Sequence, residues 1–302
     1  MAENKWIITR REFLKTTVLA GLSSVFSGCT YSAAPRAKLS FGIVTDSHYA
    51  DTAMRDNRFY RESADKMTEC VELMNDKKVN FLVELGDFKD QDSEPSEEKT
   101  IAYLRSIEKI FQRFNGPAYH VLGNHDVDSI SKEEFQENIK NTNIIGSSCH
   151  YSYDFKGIHF IVLDANFRTD GTAYDHGNFE WWDTYIPETE LNWLAQNLAD
   201  TVLPSIVFCH QQLGGSGGTN VTNAEEVRGI LQDSGKVLAV FDGHEHNGGY
   251  KLAEGIHYYT LKGMIVGTGP ENNSYAIVEV LNDKSIVVTG YRKAVGKELS
   301  LT

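Results

Sequence analysis

Proline and cysteine are both scarce, with 6 and 4 residues among 302. Few prolines, 41% hydrophobic and 24% charged residues exclude a disordered tail protein, a collagen and a coiled coil, and leave enough apolar side chain for a proper core. Cys29, Cys70, Cys149 and Cys209 stand far apart, which excludes a disulfide framework and any C-x-x-C zinc knuckle. Basic side chains are also short: 29 Lys and Arg face 42 Asp and Glu, a formal net charge of −13. Such a chain repels polyphosphate backbones and is not expected to bind nucleic acid. A small anionic substrate stays open if metal ions supply the positive charge. No apolar run is long enough to cross about 30 Å of hydrocarbon.

Residues 1–28 read as an address and not as fold. Arg10-Arg11 precede Phe13-Leu14-Lys15, a mildly apolar stretch covers 16–26, and Ser27-Gly28-Cys29 follow. This order of charges, apolar residues and small residues is that of a bacterial export signal. The arginine pair resembles the twin-arginine type, and Ser27-Gly28-Cys29 resembles a lipoprotein cleavage box. The expectation is a signal at 1–28, a linker at 29–37 and a catalytic domain at 38–302. The product would be a periplasmic or cell-envelope lipoprotein that meets the membrane only through a lipid on Cys29. An ordinary amphipathic N-terminal helix is the alternative.

From residue 38 the pattern alternates short apolar runs with helical periodicity. Strands are expected at 38–45, 79–85 and 118–122, with helices at about 58–77 and 97–114 between them. This opening implies right-handed crossovers and a parallel sheet covered by helices. Further on, 151–155 and 158–163 flank Lys156-Gly157 as a hairpin. Helices are expected at 188–198 and 223–231, and strands at 205–209 and 236–241. Strands at about 256–261, 274–280 and 284–291 close the chain as a meander, with Asn282-Asp283 as a turn. Two sheets, each flanked by helices, accommodate this count as one α/β sandwich domain.

The same few residue types recur where the strands end. They are Asp46-Ser47-His48, Gly86-Asp87-Phe88-Lys89-Asp90, Gly123-Asn124-His125-Asp126, Cys209-His210 and Gly243-His244-Glu245-His246. Ligands of α/β sheets collect beyond the carboxyl ends of strands, so these five loops are expected to converge. Mixed imidazole and carboxylate sets suit Zn, Fe and Mn. Two such ions need a shared anionic ligand to offset their repulsion, and Asp87 is the candidate bridge. Any one of these residues alone is more often a capped loop or a satisfied core polar group; five in order are not.

Asp46-x-His48, Gly86-Asp87-x-x-Asp90, Gly123-Asn124-His125-Asp126, His210 and Gly243-His244-x-His246 resemble the calcineurin-like metallophosphoesterase signature in the family's order. The resemblance covers roughly residues 38–290. It implies a four-layer αββα sandwich with two mixed sheets and a dinuclear metal site at the strand ends. It also implies that Asp46, His48, Asp87 and His246 hold one divalent ion, and Asp87, Asn124, His210 and His244 the other. Purple acid phosphatases carry a tyrosine ligand where Asp90 stands and no histidine where His48 stands, so two divalent ions are expected in place of a ferric-tyrosinate centre.

The flanks Tyr49-Ala50-Asp51, Arg58-Phe59-Tyr60-Arg61, Asn178-Phe179-x-Trp181 and Asn273-Ser274-Tyr275-Ala276 resemble the manganese-dependent ADP-ribose/CDP-alcohol diphosphatases. That subgroup often has glutamine where His48 stands; manganese is the leading candidate, with iron and zinc beside it. The expected reaction is metal-dependent phosphoester hydrolysis by hydroxide generated on the metals. Metal binding lowers the pKa of water towards about 7. The expected substrate is a small nucleotide-like phosphodiester or pyrophosphate. His125 is the expected proton donor to the leaving group, with Asp90 orienting its ring.

Residues 166–185 are rich in aromatic rings: Phe167, Tyr174, Phe179, Trp181, Trp182 and Tyr185. They read either as a loop packing its own rings or as a lid stacking a nucleobase, with Asn166, Arg168 and Trp181 as candidate substrate contacts. Gly214-Gly215-Ser216-Gly217-Gly218 lacks the Lys-Ser/Thr of a phosphate-cradling P-loop and reads as a rim. A phosphomonoesterase or 3',5'-cyclic-nucleotide phosphodiesterase shares every ligand and is the alternative enzyme. A metal-free protein-binding scaffold is the alternative without chemistry; it predicts gaps among the ligands, and there are none.

Overall fold

The computed structural model describes residues 37–146, 148–215 and 217–301. The expected export signal, with Arg10, Arg11 and Cys29, lies outside the described residues. The first sheet takes β1 (Ala37–Val44), β2 (Phe81–Glu84) and β3 (Ala118–His120) in parallel. Crossovers through α1 (Ser63–Lys77) and α2 (Glu97–Phe111) connect them. A short helix, α3 (Lys132–Asn138), leads to the second sheet. There β4 (Tyr151–Phe155) and β5 (Ile158–Val162) form the hairpin. After α4 (Glu188–Asp200), β6 (Ser205–Phe208) joins β5 in parallel. After α5 (Ala224–Ser234), β7 (Val237–Asp242) joins β6 in the same way.

β8 (Gly249–Ala253) and β9 (Ile256–Thr260) complete this sheet. The chain then returns to the first sheet with β10 (Ser274–Leu281), β11 (Ile286–Arg292) and β12 (Lys297–Leu299). The strand orders are β12-β11-β10-β1-β2-β3 and β4-β5-β6-β7-β9-β8. Both sheets are mixed, because β10 lies antiparallel to β1, and β4 and β8 are antiparallel edges.

Alternation along the strands sorts the side chains into layers. Phe41 and Ile43 of β1 and Phe81 and Val83 of β2 meet Phe160, Val162, Phe208 and Phe241 from the second sheet. Leu82 points the other way, into Met67, Met74, Leu104, Ile107 and Phe111 of α1 and α2. On the far side Ile161, Val207 and Val240 pack on Leu191, Leu194, Val227 and Leu231 of α4 and α5. The result is the expected αββα sandwich. Among the described residues, no helix is long and apolar enough to cross a membrane.

Four elements depart from the sequence reading. α3 is only seven residues and buries one side chain, Phe135; its signal is the capping box of Ser131 with Glu134. β8 is an exposed edge strand, so it lacks an apolar stripe, and β12 is three residues long. The first helix starts at Ser63, after a 3-10 turn at Tyr60–Glu62, and not at 58.

Phe41 is fully buried between the sheets, stacked on Phe81 at 4.8 Å and edge-on to Phe160, Phe208 and Phe241 at 5.6, 5.8 and 6.0 Å. Truncation leaves a cavity that four rigid rings cannot collapse around. Phe41→Ala is expected to lower unfolding stability by about 3–5 kcal/mol, read as a shift of the urea midpoint without a change in slope.

Candidate metal centre

β1, β2 and β3 run parallel in one sheet and β6 and β7 in the other, and all five end at the same rim of the sandwich. Their loops bring the expected residues together. Asp46, His48 and His246 offer ligand atoms within 4.8 Å of one another, and so do Asp87, His210 and His244.

The backbone is bent sharply to do this. Asp46, His48, Asp87 and His244 all have positive φ, at 52°, 44°, 56° and 64°. That region costs a non-glycine residue roughly 1–2 kcal/mol. Hydrogen bonds between loops offset the cost: Asp46 N–H donates to Gly86 O at 3.0 Å and His48 N–H to Asp87 O at 2.8 Å. Two glycines of the motifs are required by close approach. A Cβ on Gly123 would lie 2.1 Å from Asp87 N, and one on Gly243 would lie 2.1 Å from Thr45 Oγ1.

Asp46 Oδ2 accepts from Thr45 Oγ1 at 2.9 Å and from His244 N–H at 3.2 Å. Its Oδ1 is buried without a hydrogen bond, 3.2 Å from His246 Nε2 and 3.7 Å from His48 Nε2. His48 Nδ1 lies 3.0 Å from Asp90 Oδ2, which leaves Nε2 pointing at His246 Nε2 across 3.2 Å. Two imidazole nitrogens this close require a proton or another cation between them. His210 Nδ1 donates to Leu85 O at 2.9 Å, and its Nε2 faces Asp87 Oδ2 at 3.1 Å. Asp87 Oδ2 is also 3.5 Å from His48 Nε2, between the two groups, and Asp87 Oδ1 accepts His125 N–H at 2.7 Å.

Several polar atoms here are buried and unpartnered: both amide atoms of Asn124, His210 Nε2, His244 Nε2 and Asp46 Oδ1. Buried polar atoms are rarely left so. An N/O donor set of this kind, gathered round one cavity, fits two divalent cations. Burial disfavours the imidazolium of His210, but the adjacent Asp87 carboxylate outweighs burial and lifts its pKa to about 10. Burial, with His210 beside it, pushes His244 down to about 3. Asp87 itself is held well below the usual carboxylate range by His210, His125 and His48, in spite of its burial.

The cavity over these groups holds about 300 Å³ and is lined by Arg58, Asp87, Asn124, His125, Trp181, Thr219, His244, Glu245 and His246. A second cavity of about 470 Å³ adjoins it, sharing Thr219 and Glu245, and continues to Gly214, Tyr250, Lys251 and Tyr258. Trp181 is half exposed, its ring 6.1 Å from that of His244. The aromatic loop divides between the two expectations for it. Tyr174 is buried and stacked on Phe179 at 4.3 Å, while Trp181 and Trp182 stay exposed.

Other candidates fall elsewhere. Asn166 is fully buried, donating to Leu122 O at 2.8 Å and accepting from Gln211 at 2.8 Å. Arg168 is exposed and paired with Asp170 at 3.5 Å and Asp183 at 3.7 Å. Neither lines the cavity, so the expectation of substrate contacts at these two positions is corrected. Asp90, expected to orient His125, stands with Oδ1 3.5 Å from His125 Nδ1, while its Oδ2 lies 3.0 Å from His48 Nδ1.

Asp126 had no role in the sequence reading. Its carboxylate accepts the N–H groups of Asp87, Phe88, Lys89 and Gly123 at 3.0, 2.9, 3.2 and 2.8 Å. Its signal was its place directly after Asn124-His125. Arg58 and Glu245 also line the cavity without an expected role; Arg58 belongs to the diphosphatase-like flank and Glu245 stands between two histidines.

Asp126→Asn turns part of this acceptor into a donor facing buried N–H groups. Hydrogen bonds to charged groups contribute about 1.5–3 kcal/mol each, so a loss of at least about 2 kcal/mol is expected. Manganese affinity measured by calorimetry should fall with it. The histidine pKa values carry a second expectation. A metal must displace the proton that Asp87 holds on His210, so loading should release protons and tighten as pH rises from 6 to 9. Calorimetry in buffers of different ionisation enthalpy reads the released protons directly.

The profile of calcineurin-like phosphoesterases matches residues 39–248. A manganese-dependent ADP-ribose/CDP-alcohol diphosphatase of Arabidopsis thaliana is 25% identical over 303 residues, covering 85% of this chain and 96% of the plant protein. The human protein of the same name is 24% identical, covering 82% of this chain and 89% of its own. Among solved structures, a dimetal phosphatase from Danio rerio superposes with a TM-score of 0.75 at 20% identity, over 88% of this chain and all of that one. A purple acid phosphatase of yellow lupin superposes at 0.60 and 12% identity, over 86% of this chain and 52% of that one. With that match over most of its length, the chain belongs to the calcineurin-like phosphoesterase family and is a metal-dependent phosphoester hydrolase.

Proposed function

We propose that the chain hydrolyses a small nucleotide-like phosphodiester or pyrophosphate, of the ADP-ribose or CDP-alcohol type, with manganese at the centre. The observation that carries this reading is the pair of adjoining cavities. A phosphate over Asp87, Asn124, His244 and His246 leaves room on both sides, with the Trp181 ring on one wall and the Tyr250–Tyr258 cavity beyond Thr219. A phosphomonoester needs only one such space. The names of the plant and human relatives support the substrate class and the metal.

In this reading Asp46, His48, Asp87 and His246 hold one ion, and Asp87, Asn124, His210 and His244 the other. When bound, two divalent cations supply positive charge to the phosphoryl oxygens and acidify water. The remaining work falls to the chain. Asp87 sits between the two groups and lets both carry charge at close range. Arg58 brings the guanidinium that lines the same cavity and meets a non-bridging oxygen. His125 gives a proton to the departing oxygen. The Trp181 face stacks a nucleobase, a contact of about 1–3 kcal/mol. Export as a lipoprotein through Cys29 remains the proposal for the segment before residue 37.

A panel of ADP-ribose, a CDP-alcohol, a cyclic nucleotide and p-nitrophenyl phosphate, each with Mn, Zn or Mg, tests the reading. Turnover of ADP-ribose or the CDP-alcohol at least about tenfold above the others is expected with manganese. Trp181→Ala should raise KM for the nucleotide substrate about tenfold, with little change for the aryl ester. A preference for the monoester, or equal effects of the substitution on both substrates, would overturn it.

A further inference from the structure

A buried cation on α1 has no part in the chemistry above. Lys66, in the first turn of that helix, is 3% exposed. Its ammonium donates to Met264 O at 2.9 Å and Gly267 O at 2.7 Å, and no carboxylate pairs with it among the described residues. Burial pulls its pKa down to about 8, against the attraction of Glu62. A buried ammonium without a carboxylate is costly, so a gain elsewhere must offset it.

The gain lies in the segment that Lys66 holds. Between β9 and β10 the chain passes the metal rim, where Met264 N–H donates to Thr45 O at 3.1 Å and Ile265 N–H to Asp46 O at 2.9 Å. On its other side runs the backbone of Arg58. Phe59 N–H donates to Ile265 O at 3.1 Å, Gly267 N–H donates to Asn57 O at 3.1 Å, and Arg58 pairs antiparallel with Val266. The turn before Arg58 is strained, with Asp56 and Asn57 at φ 51° and 62°. Apolar support is slight, since only Ala50, Tyr60 and Ile265 are buried in the cluster here. Among the described residues no hydrogen bond or ion pair holds the Arg58 guanidinium at the cavity wall. Its reach therefore depends on the backbone that carries it, and that backbone rests on 265–267.

We propose that Lys66 is a positioning residue for Arg58: by holding Met264 and Gly267 it sets the backbone from which the guanidinium reaches a phosphate oxygen. This rests on the reading of Arg58 as a phosphate contact and not on the nucleotide part of the substrate. Inorganic phosphate is therefore a sufficient probe.

The test uses the full chain loaded with manganese, with phosphate affinity read by calorimetry. Arg58→Ala should weaken phosphate at least about tenfold, the loss of one charge-assisted contact. Lys66→Met removes every donor and should weaken phosphate by a similar factor. Lys66→Gln, whose shorter amide keeps donors, should fall between Lys66→Met and the parent. Manganese affinity should stay unchanged, because the Asp46 carboxylate keeps its bonds from Thr45 Oγ1 and His244 N–H. On p-nitrophenyl phosphate, KM should rise more than kcat falls; a merely structural role would lower the unfolding midpoint and leave KM alone. Lys66→Met added to Arg58→Ala should cost nothing further, whereas a loss due to the missing charge alone would persist there. Unchanged phosphate affinity in the Lys66 variants, an additive loss in the double variant, or manganese lost together with phosphate would overturn the proposal. If Lys66→Met does not fold, Lys66→Gln carries the same comparisons. Should Arg58→Ala bind phosphate like the parent, the reading of Arg58 falls and this proposal with it, while the nucleotide preference is decided separately by the substrate panel.

Discussion

The Asp126 carboxylate touches no cavity, yet it determines where Asp87 stands. Four backbone N–H groups from two loops converge on its two oxygens. The loop after β2 and the loop after β3 are thereby locked to one another, and His125 N–H closes the same knot on Asp87 Oδ1. Asp87 has positive φ and is wedged against Gly123 with no room for a Cβ. Without that carboxylate, four N–H groups around the strained Asp87 backbone lose their acceptor, and the shared position between the two histidine groups is less firmly held.

Around this knot the fold assembles an electrostatic arrangement that is incomplete as protein alone. Carboxylates and imidazoles crowd into a buried space, and several of their atoms make no hydrogen bond. In a chain of net charge −13, an anionic ester meets a repulsive field except where cations reverse it locally. Two divalent ions bound beside Asp46 and Asp87 would leave a positive remainder at the centre, and Arg58 at the wall would add to it. The acidic composition and an anionic substrate are reconciled by chemistry confined to one rim.

The parallel strands, the hairpin and the long helices were legible because each buries a continuous face, and the apolar residues that do so repeat with the period of the element. β8 was not, because an exposed edge strand has no such stripe; α3 and β12 are too short to show one. The candidate ligands were legible for a different reason: each follows a buried strand directly, so strand prediction also located the loops. Asn166 and Arg168 misled because closeness in sequence to aromatic residues says nothing about direction. Asn166 turns inward to Leu122 and Gln211, and Arg168 outward to two aspartates.

By itself the sequence determined the layered α/β architecture, the donor types and their order along the chain, since periodicity and local motifs need no knowledge of distant neighbours. Only the tertiary structure decided which carboxylate meets which imidazole. Asp90 lies between His48 and His125, and Asp126 gathers amides from two loops. Those choices depend on how two separate strand ends are brought within a few ångströms, and no local pattern encodes that distance.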